Sequence, residues 1–262
     1  MDLIIIKSIV VVVLVLSLTA IAEKVSTKIS GVLSGLPIGT LIVLLFFAIE
    51  YGVDYVQDTA LYNIHGLFAT LAFIKGYYIS TFYTGKFEVT FSLIVSFISY
   101  VLIALALSFI PPHIILTPII VSILLLVSAI YFSKKEDFAI VKTDKVTIKD
   151  LVLRSVLTII IFLIVSSLPH YVPANYAGIF SSFPTILLPL LLIIHFNHSN
   201  LQARTIIKNT PFGLTSVVAY SYIVYFAYPS IGIVLGTILG LICAVAVIYI
   251  QTKVLKYFKI IE

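Results

Sequence analysis

The sequence predicts an all-α polytopic membrane protein with nine transmembrane helices, arranged as two four-helix inverted-topology repeats joined by a fifth linking helix. Three observations carry that expectation. Apolar residues fill 61% of the 262 positions and charged residues 10%, with a mean hydropathy of +1.20, whereas soluble domains hold about 45–50% and about 25%. Polar residues gather into short clusters between apolar runs of about 20 residues, the length that crosses about 30 Å of hydrocarbon. The third is an internal repeat. Residues 31–37 read GVLSGLP and residues 178–184 read GIFSSFP, and 178 less 31, 181 less 34 and 184 less 37 each give 147. The same offset pairs Lys7-Ser8 with Arg154-Ser155, Gly66-Leu67 with Gly213-Leu214 and Tyr78 with Tyr225. Dispersed matches at one period mark a duplicated unit.

Residues 3–22 form the first predicted span. Ala20-Ile21-Ala22 resembles a small-residue cleavage site, but residues 151–168 copy this run internally, so a helix rather than a leader is expected. The second span, at about 29–50, carries GVLSGLP. Proline removes an intrahelical hydrogen bond and clashes with the carbonyl four residues earlier, so this helix should kink or break around Ser34 to Pro37. The acidic cluster Glu50, Asp54 and Asp58 follows, with Asp54 and Asp58 read as solvated loop charges. A third span at 60–81 holds His65, Gly66 and Lys75, and a fourth at 88–110 stops at Pro111-Pro112.

A fifth span, at 113–133, has no counterpart in the second copy. Residues 133–150, with lysines at 134, 135, 142, 145 and 149, then link the halves. The second copy supplies spans at 151–168, 177–197, 210–228 and 230–252. The chain thus divides into a first repeat at 1–110, a linking helix and basic linker at 111–150, and a second repeat at 151–262.

Nine spans put thirteen of the sixteen Lys and Arg residues on one side, among them Lys86, Arg204, Lys208 and Lys253, while Lys7, Lys75 and Arg154 fall inside spans. Basic loops stay cytoplasmic, which predicts a multi-pass plasma-membrane protein with its N-terminus outside and its C-terminus in the cytoplasm. The net charge of +5 then reports orientation, and no nucleic-acid partner is expected. Four spans return the first repeat to its starting side and the fifth carries the chain across, so the second repeat runs antiparallel to the first, as in many transporters. A single Cys243 allows no disulfide within the chain.

The broken helices offer the first candidate site. Amides and carbonyls freed at membrane depth need cover from protein or from a water-filled cavity. Ser34, Gly35 and Pro37, with Ser181, Ser182 and Pro184, either line a substrate site or permit close helix packing. Lys7 and Arg154 lie near the starts of their spans, where they either snorkel to the interface or place positive charge at the mouth of a cavity. Glu50 falls on the same side as Lys7 and can pair with it, and Asn197 holds the Glu50 position in the second copy. Glu50, His65 and His195 are candidates for proton coupling. His195 and His198 share a helical face, although two histidines near a helix end also suit an interface. No HExxH, Cys pair or carboxylate cluster accompanies them, so no metal or other cofactor is expected, and with no nucleophile paired to a base no catalytic residue is expected either. Tyr220, Tyr222, Tyr225 and Tyr228 read as interface and packing residues.

The second half resembles the GlpM-like family of small four-span bacterial inner-membrane proteins. Arg154-Ser155, AGIFSSFPT at residues 177–185, the apolar run ending near His195 and RTIIKNTPFG at residues 204–213 carry the resemblance. The first half follows the plan through Ile6 to Ser8 and GVLSGLP, departing at Ile38 for Thr185 and Ala48 for His195. The resemblance implies a fusion of two such units and an association with exopolysaccharide production. In plan alone, the architecture is also similar to fluoride channels and small multidrug transporters.

Together these features lead to an expected small secondary transporter or flippase embedded in the bilayer, handling an anionic solute or a lipid-linked phosphate between its halves. The alternatives are a non-catalytic scaffold for an envelope polysaccharide or lipid-synthesis complex, with a protein partner there, and a passive anion channel.

Overall fold

The computed structural model describes residues 5–13, 17, 32–83, 85–135, 148–197 and 199–257. Gly31, His198, the rest of the first predicted span, Lys24, Lys28, Lys142, Lys145 and Lys259 lie outside the described residues. Residues 5–13 are helical. The helices that follow are α1 (Ile38–Tyr51), α2 (Val53–Ser80), α3 (Glu88–Ser108), α4 (Leu116–Ser133), α5 (Ile148–Ser167), α6 (Ala174–Ser181), α7 (Leu187–Asn197), α8 (Asn200–Ile231) and α9 (Ile233–Tyr257), with a 3₁₀ turn at Leu168–His170 after α5. Among the described residues, six stretches are long and apolar enough to cross a membrane: Val32–Tyr51, Glu88–Ser108, Leu116–Ser133, Ile148–His170, Asn200–Ile231 and Ile233–Tyr257. This is a multi-pass membrane protein embedded in a lipid bilayer.

Helices α2 and α8 form the interior. Ile64, Leu67, Ile74 and Tyr77 of α2 join Ile206, Ile207, Leu214 and Val217 of α8 in one buried cluster. The two run antiparallel: Arg204, near the start of α8, donates to the Thr81 carbonyl at the end of α2 (2.9 Å), while Ser221 donates to Asn63 Oδ1 (2.9 Å) further along both helices. Helices α3, α4, α5 and α9 surround them and turn apolar side chains outward, including Phe97 and Leu102 of α3 and Val234, Ile242 and Val245 of α9. In lipid this exposure carries no hydrophobic penalty.

Two boundaries differ from the sequence expectation. Gly52, at φ +88°, alone separates α1 from α2. Asp54 and Asp58 therefore ride on the first turns of α2, still exposed, instead of sitting in a loop. Helix α8 starts ten residues before the predicted eighth span, capped by Ser199, whose Oγ accepts from the Gln202 amide (3.3 Å). Arg204 and Lys208 are consequently helical and buried, at 7% and 4% exposure, and not loop cations. Hydropathy marks where lipid-compatible residues begin; it does not mark where a capped helix does.

Candidate functional site

Both predicted breaks are present. Residues 32–34 are helical, residues 35–37 turn, and α1 resumes at Ile38. In the second half, α6 ends at Ser181 and α7 begins at Leu187. Three backbone bonds of the first break recur in the second, which adds one from Thr185 N to Phe183 O (2.7 Å). Gly35 N donates to Val32 O (3.0 Å), Leu36 N to Leu33 O (3.2 Å) and Leu41 N to Pro37 O (2.6 Å). At the same offset, Ser182 N donates to Ile179 O (3.1 Å), Phe183 N to Phe180 O (3.0 Å) and Leu188 N to Pro184 O (3.0 Å). Each proline, lacking an N–H, ends one helical segment and opens the next.

Each break seats against the long helix of the other half. A Cβ on Gly66 of α2 would collide with the Ile179 carbonyl and come within 2.5 Å of Ser182 Oγ. A Cβ on Gly213 of α8 would collide with the Val32 carbonyl and come within 2.9 Å of Gly35. Gly39 lies against Thr185 Oγ1, where a Cβ would approach to 2.6 Å. Between the breaks is a cavity of about 30 Å³ lined by Ser34, Thr40, Thr70, Ser182, Thr185 and Thr210, with apolar walls that include Leu67 and Leu214. That is room for a single water-sized occupant.

Side chains of the first half cover the carbonyls of the second break. Thr70 donates to Ser182 O (2.7 Å), Tyr100 to Ile179 O (3.2 Å), and Asn63 Nδ2 to Ser181 Oγ (2.7 Å). Ser181 and Ser182 in turn donate to the carbonyls of Gly178 (2.6 Å) and Ile179 (2.7 Å). The positions equivalent to Thr70, Tyr100 and Asn63 hold Val217, Val247 and Thr210.

Charged clusters close the two ends of the α2–α8 pair. At the end where α1 meets α2, Lys7 forms an ion pair with Glu50 and lies over the Phe46 ring, 5.4 Å from its centroid. Both side chains are buried, at 7% and 13% exposure, so Lys7 does not snorkel. At the opposite end Asn197 donates to Asp150 Oδ1 (2.6 Å), near the buried Arg154. There Tyr77 Oη is 2.9 Å from His195 Nδ1, and His195 Nε2 is 3.7 Å from Glu88 Oε1. Arg204 donates through Nε to Thr81 Oγ1 (3.0 Å) and stacks on Phe82 at 3.9 Å. Lys208 Nζ donates to the Lys135 carbonyl (2.6 Å).

The breaks thus bring together Ser34, Gly35, Pro37, Ser181, Ser182 and Pro184. Lys7 with Glu50, and Arg154, stand apart at the two ends. His195 is buried, at 3% exposure. His65 is buried on α2 against Phe68 (5.8 Å between rings) with no hydrogen bond to Nδ1, outside either cluster. Asn63, Thr70, Tyr77, Tyr100, Glu88, Arg204 and Ser221 were not anticipated. Part of the signal was in the sequence: Asn63, Thr70 and Tyr77 recur every seventh residue, one stripe along a helix. Among the described residues, no group of three or more His, Cys, Asp or Glu could hold a metal ion.

Fold and site together define a helical membrane protein with two interlocked helix breaks at its centre. Comparison with family models, with curated proteins and with solved structures finds no match to this chain.

Proposed function

We propose that this chain is a small secondary transporter or flippase built from two inverted repeats, with its substrate pathway along the seam where the breaks meet. The observation that carries the reading is the reciprocity of the breaks: the relation of Gly66 to Ile179 and Ser182 recurs, shifted by 147 residues, as that of Gly213 to Val32 and Gly35. The start of α2 at Val53 and of α8 at Asn200, the same interval apart, and their antiparallel course support two homologous units of opposite direction. In this reading nine crossings place the N-terminus outside and the C-terminus in the cytoplasm of a plasma membrane. Discontinuous helices of opposed repeats commonly form substrate sites, and rocking of one repeat against the other exposes them alternately.

The cavity between the breaks, at about 30 Å³, is in this reading the narrow point of the pathway. Lys7 pairs with Glu50, and the buried cations of the other end are Arg154, Arg204 and Lys208, which in this reading favour an anionic solute or lipid-linked phosphate. Buried cations in membrane segments commonly line substrate pathways.

A second reading, a non-catalytic scaffold for envelope polysaccharide or lipid synthesis, draws on the tight packing around the cavity and on the GlpM-like resemblance. Reconstituted vesicles separate the two. Uptake of phosphate, sulfate or chloride, or movement of a fluorescent phospholipid between leaflets, lost at least tenfold in Arg154→Gln, is the expected result. No movement across the whole panel sinks transport and favours the scaffold, and rates too fast for a conformational cycle point to a channel.

A further inference from the structure

His195, Tyr77 and Glu88 meet across the seam between the two halves. His195 belongs to α7, in the second half; Tyr77 and Glu88 belong to α2 and α3, in the first. The imidazole is buried, with Nδ1 hydrogen-bonded to Tyr77 (2.9 Å) and Nε2 without a hydrogen-bond partner. Glu88 Oε1 stands 3.7 Å from that nitrogen, about 0.9 Å beyond a charge-assisted hydrogen bond.

We infer that this triad is a proton-binding latch that holds one end of the pathway shut. The inference rests on the transporter reading in that it needs the halves to move against each other. When a proton binds His195 Nε2, the imidazolium attracts the Glu88 carboxylate, the gap closes to a bonded ion pair, and α3 is drawn to α7. When the proton leaves Nε2, the charge on His195 is lost and the pair releases. Nδ1 keeps its hydrogen in both states and donates to the Tyr77 hydroxyl oxygen, so Tyr77 fixes the ring while Nε2 gains and loses its proton. Glu88, whose side chain is 33% exposed, gives the proton its way in.

The neighbouring charges act in both directions: the Glu88 carboxylate favours a proton on His195, whereas Arg204 of α8, held to Thr81 of the first half, and Arg154 of α5, beside Asp150, lie at the same end and oppose it. The imidazole is thus the one group among these whose charge changes in the physiological range. The latch is confined to one end, since Ala48, Val224 and Leu235 occupy the equivalents of His195, Tyr77 and Glu88. Acid should therefore close one mouth of the pathway and leave the other unaffected.

The test measures separation across this end without any substrate. Spin labels at Lys86→Cys, in the loop before α3, and Leu201→Cys, at the start of α8, are placed in a Cys243→Ser background in lipid nanodiscs. The distance should shorten as pH falls from about 8 to about 5, and both His195→Gln and Glu88→Gln should abolish the shortening while the protein remains monodisperse. A distance independent of pH in the parent, or shortening that survives in His195→Gln, overturns the latch. The two readings fail separately: pH-dependent closure in a protein that moves no solute or lipid sinks transport and keeps the latch, and flux with a pH-independent distance does the reverse.

Discussion

Gly66 and Gly213 have no side chain because a backbone passes where a Cβ would stand. Overpacking of a close contact costs about 1–3 kcal/mol, and here the obstruction is a carbonyl that must itself stay in a turn. Gly66→Ala and Gly213→Ala should each lower the unfolding temperature in detergent by several degrees; a midpoint unchanged in both would mean that the breaks are loosely seated. The Gly-Leu repeat was legible in the sequence, but not the reason for it, since the partner of each glycine lies more than 100 residues away. Lys7 and Glu50 were legible as a pair because both stand at the same end of adjacent helices. Arg204 and Lys208 were misread as loop residues, because burial depends on what packs over a side chain.

Within the helical elements, the breaks are local chemistry completed by distant groups. A proline inside an apolar run releases backbone groups, and this much follows from residues 31–37 and 178–184 alone. Their satisfaction does not, since Thr70, Tyr100 and Asn63 come from helices of the other half. Thr70→Val keeps the shape and removes the donor to the Ser182 carbonyl. An acceptor left unsatisfied in a buried site costs about 1–3 kcal/mol, so thermal unfolding should come earlier, whereas Val217→Thr at the equivalent position should not produce that loss. Equal effects from the two substitutions would show that Thr70 acts through packing.

For the molecule as a whole, Asp54 at the start of α2 and Lys134 at the end of α4 mark opposite ends, because α2 is antiparallel to α8 and Lys208 of α8 meets the α4 terminus. Cysteines introduced there, in the Cys243→Ser background, should react with an impermeant maleimide from opposite faces: Asp54→Cys from outside intact cells, and Lys134→Cys only once the membrane is opened. Labelling of both from outside would overturn the orientation and with it the antiparallel plan. The interior position of α2 explains why its polar residues depress its hydropathy without exposing it: Asn63 and Tyr77 face protein, and only Lys75 and a minority of its other side chains reach the surface.

Composition and span length determined by themselves that the chain crosses a bilayer repeatedly, and the prolines at 37 and 184 that two of its apolar runs are interrupted. These are properties of short stretches of chain in a solvent that tolerates only satisfied backbone. The seating of each break on the opposite half, the cover of the second break's carbonyls and the meeting of His195 with Tyr77 and Glu88 were decided only by tertiary structure. Such contacts join residues 79 or more positions apart, and a lone sequence carries no record of which helix packs against which.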